Sequence, residues 1–306
     1  MNMNISCNLM HLLCPPQSHK DTGLGNTLFQ LATLYSLAKE YNFKINLNEL
    51  VKYCNLLNKF GYDHEKKIFK YLLDTYDCNI LNDEYERISE SEKYPVEQYL
   101  DTHFLQRIQN NTTKNIKIEG YFQSHLYFDK YRNDILNLFK IDKESLNYIK
   151  NKYPILFDET KICVAIHVRM NYANCINYNL NYFNETIDFF KKKYPNIHFM
   201  VFSNNIDSIK NWFEDINIYT YVNSNIDYID LWIMSLCKHN IITHSTFSWW
   251  GAYLNNNPDK IVTFPTETLK ILSGALYPNF KFEQRLTEYY MKDWIKFNCK
   301  TLVLYK

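Results

Sequence analysis

The stretch "NIITHSTFSWWGAYLNNNPDKIVTF", Asn240 to Phe264, carries a complete strand–helix–strand pattern. "NIITH" is an apolar run that reads as a strand, "TFSWWGAYLNN" has the length and spacing of a short helix, and "KIVTF" is a second strand. Two neighbouring strands joined through a helix run parallel, because antiparallel neighbours need only a tight turn. The same rhythm extends upstream. "ICVAIHV" reads as a strand, "YFNETIDFFKKKYP" as a helix and "IHFMVFS" as a strand. The helix "IDSIKNWF", the short strand "NIYTYV" and the helix "DYIDLWIMSLCKH" follow. Such alternation predicts an α/β chain with a parallel, doubly wound sheet. Ligands of these sheets bind beyond the carboxyl ends of the strands. Three polar clusters fall at those ends: His167 with Arg169, Ser203 to Asn205, and His244 to Thr246.

The amino-terminal half is less regular. "HLLCPP" reads as a first strand, and Leu28, Leu31, Ala32, Tyr35 and Ala38 mark one face of a helix from about Asn26 to Tyr41. Residues 48 to 110 are charged and irregular, consistent with short helices. "NIKIEGYFQS" reads as a strand and "HLYFDKYRNDILNLFKI" as an amphipathic helix. The segment from Lys140 to Asp158, containing "NKYPILFDET", is the expected boundary between two domains, residues 1–155 and 156–306.

Composition narrows the function classes. The chain has 306 residues, 46% hydrophobic and 22% charged, with a net charge of +1. That balance argues against a protein built to neutralise nucleic-acid phosphate. Tyr and Phe are abundant together with Asn, Lys and Ile, the mark of an AT-rich genome, so most aromatic side chains are read as packing. Cys7, Cys14, Cys54, Cys78, Cys163, Cys175, Cys237 and Cys299 form no C-x-x-C pair, which points to neither zinc nor a redox dithiol. Cys163 and Cys237 lie in apolar runs and read as buried reduced thiols. The first residues lack a basic leader, and no segment reaches about 18 apolar residues. A cytoplasmic protein without a transmembrane segment is expected, and the N-x-Thr triplets at Asn111 and Asn184 read as chance.

Three short segments carry the candidate chemistry. In "THSTFSWW", Ser245 is placed to cap a helix, leaving further backbone donors and the helix dipole facing the mouth of the sheet, a natural phosphate seat. Trp249 and Trp250 then wedge that helix against the sheet. Taken alone, the segment reads at least as well as a capped core helix. "GLGN", Gly23 to Asn26, lies at a loop-to-helix junction where a ligand can approach the backbone. A tight turn explains it equally, and Leu28 stands where the dinucleotide fingerprint needs its last glycine. In "IHVRMNY", Arg169 stands just past a strand end, where a charged fork binds phosphate or carboxylate, or serves a structural ion pair. His167 shares its strand face. There is no D-x-D triplet to carry a metal-bound nucleotide sugar, and no G-x-S-x-G or Walker loop.

In their order, "GLGNTLFQLA", "EGYFQSHLYF", "IHVRMNY", "FSNNI" and "MSLCKHNIITHSTFSWWGAYL" resemble the α-1,2-fucosyltransferase family, glycosyltransferase family eleven, over roughly residues 20 to 265. The resemblance implies a GT-B-type fold of two Rossmann-like domains about a cleft: an acceptor-side amino-terminal domain and a carboxyl-terminal domain that binds the nucleotide sugar. It implies inverting, metal-independent transfer from GDP-fucose to an oligosaccharide acceptor, with no cofactor beyond the donor. Carried over by position, Arg169 clamps the diphosphate and stabilises the departing nucleotide. The backbone around Ser245 and Thr246, beside His244, holds the same phosphates. His167, a catalytic candidate together with Arg169, faces base and ribose with Ser203, Asn204 and Asn205, and Gly23, Gly25 and Asn26 approach from the other domain.

The chain also departs from the family pattern. Where H-x-R-R-G-D-Y is usual, it has His167-Val168-Arg169-Met170-Asn171-Tyr172, and "FSDD" is replaced by Phe202-Ser203-Asn204-Asn205. No carboxylate base for the acceptor hydroxyl is identifiable from the pattern. Asn205 offers one accepting and one donating end, which matches a uracil or thymine edge better than guanine. A UDP- or dTDP-linked deoxysugar such as rhamnose is therefore an alternative donor. The altered "RMNY" leaves open a catalytically silent sugar- or nucleotide-binding module.

Overall fold

The computed structural model describes residues 3–9, 23–76, 78, 84–90, 100–111, 114–170, 176–177, 180–266, 286–297 and 303–304. The chain forms two compact units. Residues 1–142 together with 283–291 make the first, and residues 143–282 with 292–306 make the second. The division falls inside the expected boundary segment, but ahead of its helix rather than after it. A carboxyl-terminal stretch also returns to the first unit. Its packing shows why: the Tyr289 ring stacks on Phe29 at 6.1 Å, and the Glu288 carboxylate accepts the Leu100 N–H at 2.5 Å. The Ser124 hydroxyl donates to the Glu288 carbonyl at 2.9 Å.

In the first unit the strands are β1 (Asn4–Asn8), β2 (Lys44–Ile45), β3 (Tyr85–Ser89) and β4 (Asn115–Glu119). They form a parallel sheet in the order β2-β1-β4-β3. The helices are α1 (Leu24–Tyr41), α2 (Asn48–Asn58), α3 (Lys70–Thr75), α4 (Thr102–Asn110) and α5 (Arg132–Leu138). The first strand is "NISCN", not the later "HLLCPP", whose residues lie outside the described ones. The helix expected over residues 125–141 is broken into two 3₁₀ turns, His125–Tyr127 and Asp129–Tyr131, before α5. There the Ser124 hydroxyl accepts the Leu126 N–H, and Tyr131 closes on Phe128 three residues back, so the α-ladder does not start until Arg132.

The second unit contains α6 (Lys143–Lys152), β5 (Ile162–Val168), β6 (Ile176–Asn177), α7 (Leu180–Lys193), β7 (Ile197–Ser203), β8 (Tyr219–Tyr221), α8 (Asp227–Leu236), β9 (His239–Ile241), α9 (Thr246–Leu254), β10 (Val262–Pro265), β11 (Ile295–Phe297) and β12 (Val303–Leu304). Its main sheet is parallel throughout, in the order β11-β10-β9-β5-β7-β8. β6 and β12 make a short antiparallel pair. On one flank Val164, Ile166, Val168 and Val201 pack with Phe183, Ile187 and Phe190 of α7. On α8 and α9, Gly251 permits close approach, since a Cβ there would stand 2.8 Å from the Met234 Cβ. The helix expected over "IDSIKNWF" is instead a series of turns: Ile209 closes on Ile206 and Trp212 on Ile209. The Tyr221 hydroxyl, donating toward the Ile209 carbonyl at 2.9 Å, engages an oxygen that a helix would need.

Five cysteines among the described residues, Cys7, Cys54, Cys78, Cys163 and Cys237, are free thiols. Burial pushes the Cys163 thiol up to about 11. No helix of the described residues is long and apolar enough to cross a membrane.

Candidate active site

The strand order gathers the three polar clusters. β5 lies between β9 and β7, and their carboxyl ends therefore present His167–Arg169, His244–Thr246 and Ser203–Asn205 side by side along one edge of the second unit's sheet.

His167 is buried in β5, its Nδ1 3.4 Å from the Thr243 hydroxyl and its ring 5.8 Å from that of Phe247. Burial, and then the Arg169 charge, hold its pKa down at about 3. The imidazole is therefore held in its neutral form near neutral pH. Arg169, two residues on and half-buried, shares that strand face. Met170 turns the other way: it is 8% exposed and belongs to the same core cluster as Val168, Tyr182 and Phe183.

The turn after β9 differs from the expected cap. Ser245 is the N-cap residue of α9 and is buried, but its hydroxyl does not accept from the helix. The first-turn N–H groups, those of Thr246, Phe247 and Ser248, are thus left without the side-chain acceptor that a capping serine supplies. The Ser248 hydroxyl instead donates back toward the Thr243 and Ser245 carbonyls, at 3.3 and 3.1 Å. His244 is buried alongside. Beneath the turn, the Tyr182 hydroxyl bridges the Ile242 carbonyl at 2.7 Å and the Thr263 carbonyl at 3.0 Å, tying the ends of β9 and β10. Positive helix-end potential, first-turn N–H groups without a side-chain cap and the Arg169 cation share one strand edge, an arrangement suited to a phosphorylated anion.

At the end of β7 both asparagines are already engaged. The Asn204 carboxamide accepts the Met170 N–H at 2.8 Å and donates to the Met170 carbonyl at 3.2 Å. Asn205 Oδ1 accepts the Ser208 N–H at 3.2 Å, and the Ser203 hydroxyl accepts the Asn205 N–H at 3.0 Å. A paired fit of the Asn205 carboxamide to a pyrimidine edge would need the oxygen that this turn uses.

In the first unit, Gly23 takes a left-handed conformation (φ 71°) and starts α1, with Gly25 buried in the first turn. Asn26 Oδ1 accepts Gln123 Nε2 at 2.8 Å, so "GLGN" and "EGYFQS", distant in sequence, are locked together. Gln30 Nε2 donates to the Gly120 carbonyl at 2.8 Å and to the Asn8 carbonyl at 3.3 Å, fastening α1 to the ends of β4 and β1. Sequence reasoning missed Gln30, Gln123 and one further group, Glu90. The Glu90 carboxylate accepts the Phe122 N–H at 2.8 Å and the Tyr127 hydroxyl at 2.9 Å. It holds Phe122, whose φ of 52° is unusual for a bulky residue, in a cluster with Phe104 and Tyr127.

Burial pushes the Glu90 carboxyl up to about 8, against the lowering effect of those two donors, with Asp101 raising it slightly further. The folded state thus holds a proton that the unfolded chain releases near 4.5. Stability is complete below that value and falls as pH rises through the window up to about 8, by at most about 1.4 kcal/mol per pH unit. Glu90→Gln, a neutral isostere, is expected to flatten this dependence. Thermal unfolding from pH 5 to 8.5 checks it, and equal slopes for the two proteins would show that Glu90 does not titrate there.

Residues 20–298 match the profile of Glycosyl transferase family 11. The chain belongs to that family, as its motifs suggested. The transferase is 26% identical over 283 residues to the O-antigen biosynthesis glycosyltransferase WbnK of Escherichia coli, covering 79% of this chain and 91% of that one. It is also 26% identical over 266 residues to an alpha-1,2-colitosyltransferase of Escherichia coli, with coverages of 80% and 89%. A putative galactoside 2-alpha-L-fucosyltransferase of Caenorhabditis elegans is 24% identical over 250 residues, covering 76% of the transferase and 66% of that protein. Among solved structures, a point mutant of Arabidopsis thaliana FUT1 in complex with GDP aligns with a TM-score of 0.49 and 12% identity, over 86% of the transferase and 70% of that chain. Two parallel-sheet units are the composition of a GT-B-type glycosyltransferase. Among the described residues, no three His, Cys, Asp or Glu side chains gather as a metal-holding group.

Proposed function

We propose that this transferase moves a deoxysugar, L-fucose from GDP-fucose, in α-1,2 linkage to an oligosaccharide acceptor, with inversion, in the cytoplasm and without a metal. The observation that carries the reading is the uncapped start of α9 on the same strand edge as Arg169. In a single displacement the acceptor hydroxyl attacks the anomeric carbon and gives up its proton to a base while the bond to the diphosphate breaks, and negative charge collects on the leaving phosphate. Arg169 and the uncapped N–H groups at the start of α9 are preorganised donors for that charge, and they take the place of a metal ion.

Two features favour an active enzyme over a silent binding module. Met170 packs in the core, so the position where the family pattern has its second arginine does not face the phosphate edge. Asn204 supports the main chain at that point. The relatives named for fucosyl and colitosyl transfer support a deoxysugar donor. The engagement of Asn205 Oδ1 by Ser208 weakens the case for a pyrimidine nucleotide.

Calorimetric titration with GDP, UDP and dTDP tests the donor. GDP is expected to bind most tightly, and turnover of GDP-fucose with a galactose-terminated acceptor is expected to persist in EDTA. Tighter binding of UDP or dTDP would move the donor to that nucleotide. GDP binding without turnover across a broad acceptor panel would return the silent module.

A further inference from the structure

The ladder between β5 and β7 ends at the pair Val168 and Ser203. Past that pair neither Arg169 nor Met170 lies in a strand, yet both main-chain groups of Met170 are paired, by one side chain. Asn204 accepts its N–H at 2.8 Å and donates to its carbonyl at 3.2 Å. The carboxamide here acts as one more rung of the ladder. Arg169 lies between the last true pair and this added rung, so the peptides on both sides of it are held. Because the Met170 side chain is anchored in the core, the bracket also fixes which way the chain turns after Arg169.

We propose that Asn204 is a positioning residue for Arg169: by closing the strand end it holds the guanidinium at the phosphate edge, and it does so without touching the nucleotide itself. Asparagine suits the task where aspartate does not, since a carboxylate can accept from Met170 but cannot donate to its carbonyl. The inference rests on the reading of Arg169 as the diphosphate clamp and assigns Asn204, which the family pattern suggests as a base or ribose contact, to a different task.

A double-mutant cycle on ligand affinity tests it, read by calorimetry with both GDP and inorganic pyrophosphate. Asn204→Ala is expected to weaken both ligands by about tenfold, and Asn204→Asp, which keeps one of the two bonds, by less. In the Arg169→Ala background, Asn204→Ala is expected to change neither affinity further, because its effect passes through the arginine. Equal losses in both backgrounds, or no loss in wild type, would overturn the proposal. A contact to the base would show as weakened GDP with unchanged pyrophosphate, and this too would overturn it. Should Asn204→Ala fail to fold, the cycle is run with Asn204→Asp and reads the same way. Binding of pyrophosphate but not GDP by wild type would reject the guanine donor and leave this inference standing. If neither binds, Arg169 clamps no diphosphate and both fall.

Discussion

Arg169→Lys is expected to cut turnover roughly a hundredfold, although the charge is kept. A guanidinium presents parallel N–H groups that meet two phosphate oxygens at once, and an ammonium on a flexible stem does not. Met170, the next residue, is buried in the core and brings no second cation to this edge. Among the described residues, the backbone N–H groups at the start of α9 are further donors at this strand edge. Their geometry does not adapt to a displaced charge. Loss of one preorganised stabiliser commonly costs about 3 kcal/mol in the transition state. The loss should appear in kcat and in kcat/KM for the donor, because charge on the leaving phosphate grows toward the transition state. Steady-state kinetics of the folded variant give the answer, and turnover within a few-fold of wild type would take Arg169 out of the chemistry.

The second unit was legible because its central strands are buried on both faces. "ICVAIHV" and "IHFMVFS" are continuous apolar runs that leave little choice but a covered parallel strand. Their carboxyl ends then followed from the alternation, and so did the grouping of the three polar clusters. The strand β3 was missed because "YERIS" at the sheet edge carries Glu86 and Arg87 outward, with Ile88 alone fully buried among its residues. Edge strands often look this way, since charge there discourages pairing with other chains. The false helix at "IDSIKNWF" has the right apolar spacing, but its carbonyls are claimed by Tyr221 from β8. No local pattern records that competition.

The functional details that escaped sequence reading share a cause: each is a side chain bonded to a group distant in sequence, most often main chain. Asn204 to Met170, Gln30 to Gly120 and Glu90 to Phe122 bridge segments 34, 90 and 32 residues apart. Periodicity reports which face of an element is buried and says nothing of which carbonyl a carboxamide meets. Ser245 shows the opposite error. Its residue type and position are those of a helix cap, yet its hydroxyl is not used in that way. The motif was read correctly as a helix start, while the state of its donors was visible only in the structure.

Trp249→Ala is expected to destabilise the second unit by about 3–5 kcal/mol, the range for removing a large buried aromatic side chain. The indole is fully buried. It stacks on Tyr253 at 4.8 Å, meets Trp250 edge-on at 5.2 Å and lies 5.6 Å from Trp294. These contacts join the first turn of α9 to its own last turn and to the segment that leads into β11. Removing them opens a cavity beside a helix whose partner α8 already approaches closely enough to need Gly251, so neighbours have little room to relax inward. The helix start that offers its donors to phosphate would then be held less firmly. Nucleotide affinity is accordingly expected to fall along with stability, even though Trp249 itself is too deep to touch a ligand. Trp249→Phe, which keeps a ring against Tyr253, should recover most of both losses. Denaturant unfolding and GDP titration of the two variants decide between wedge and passive filler. A loss below about 1 kcal/mol in the alanine variant would mean that α9 is braced from elsewhere.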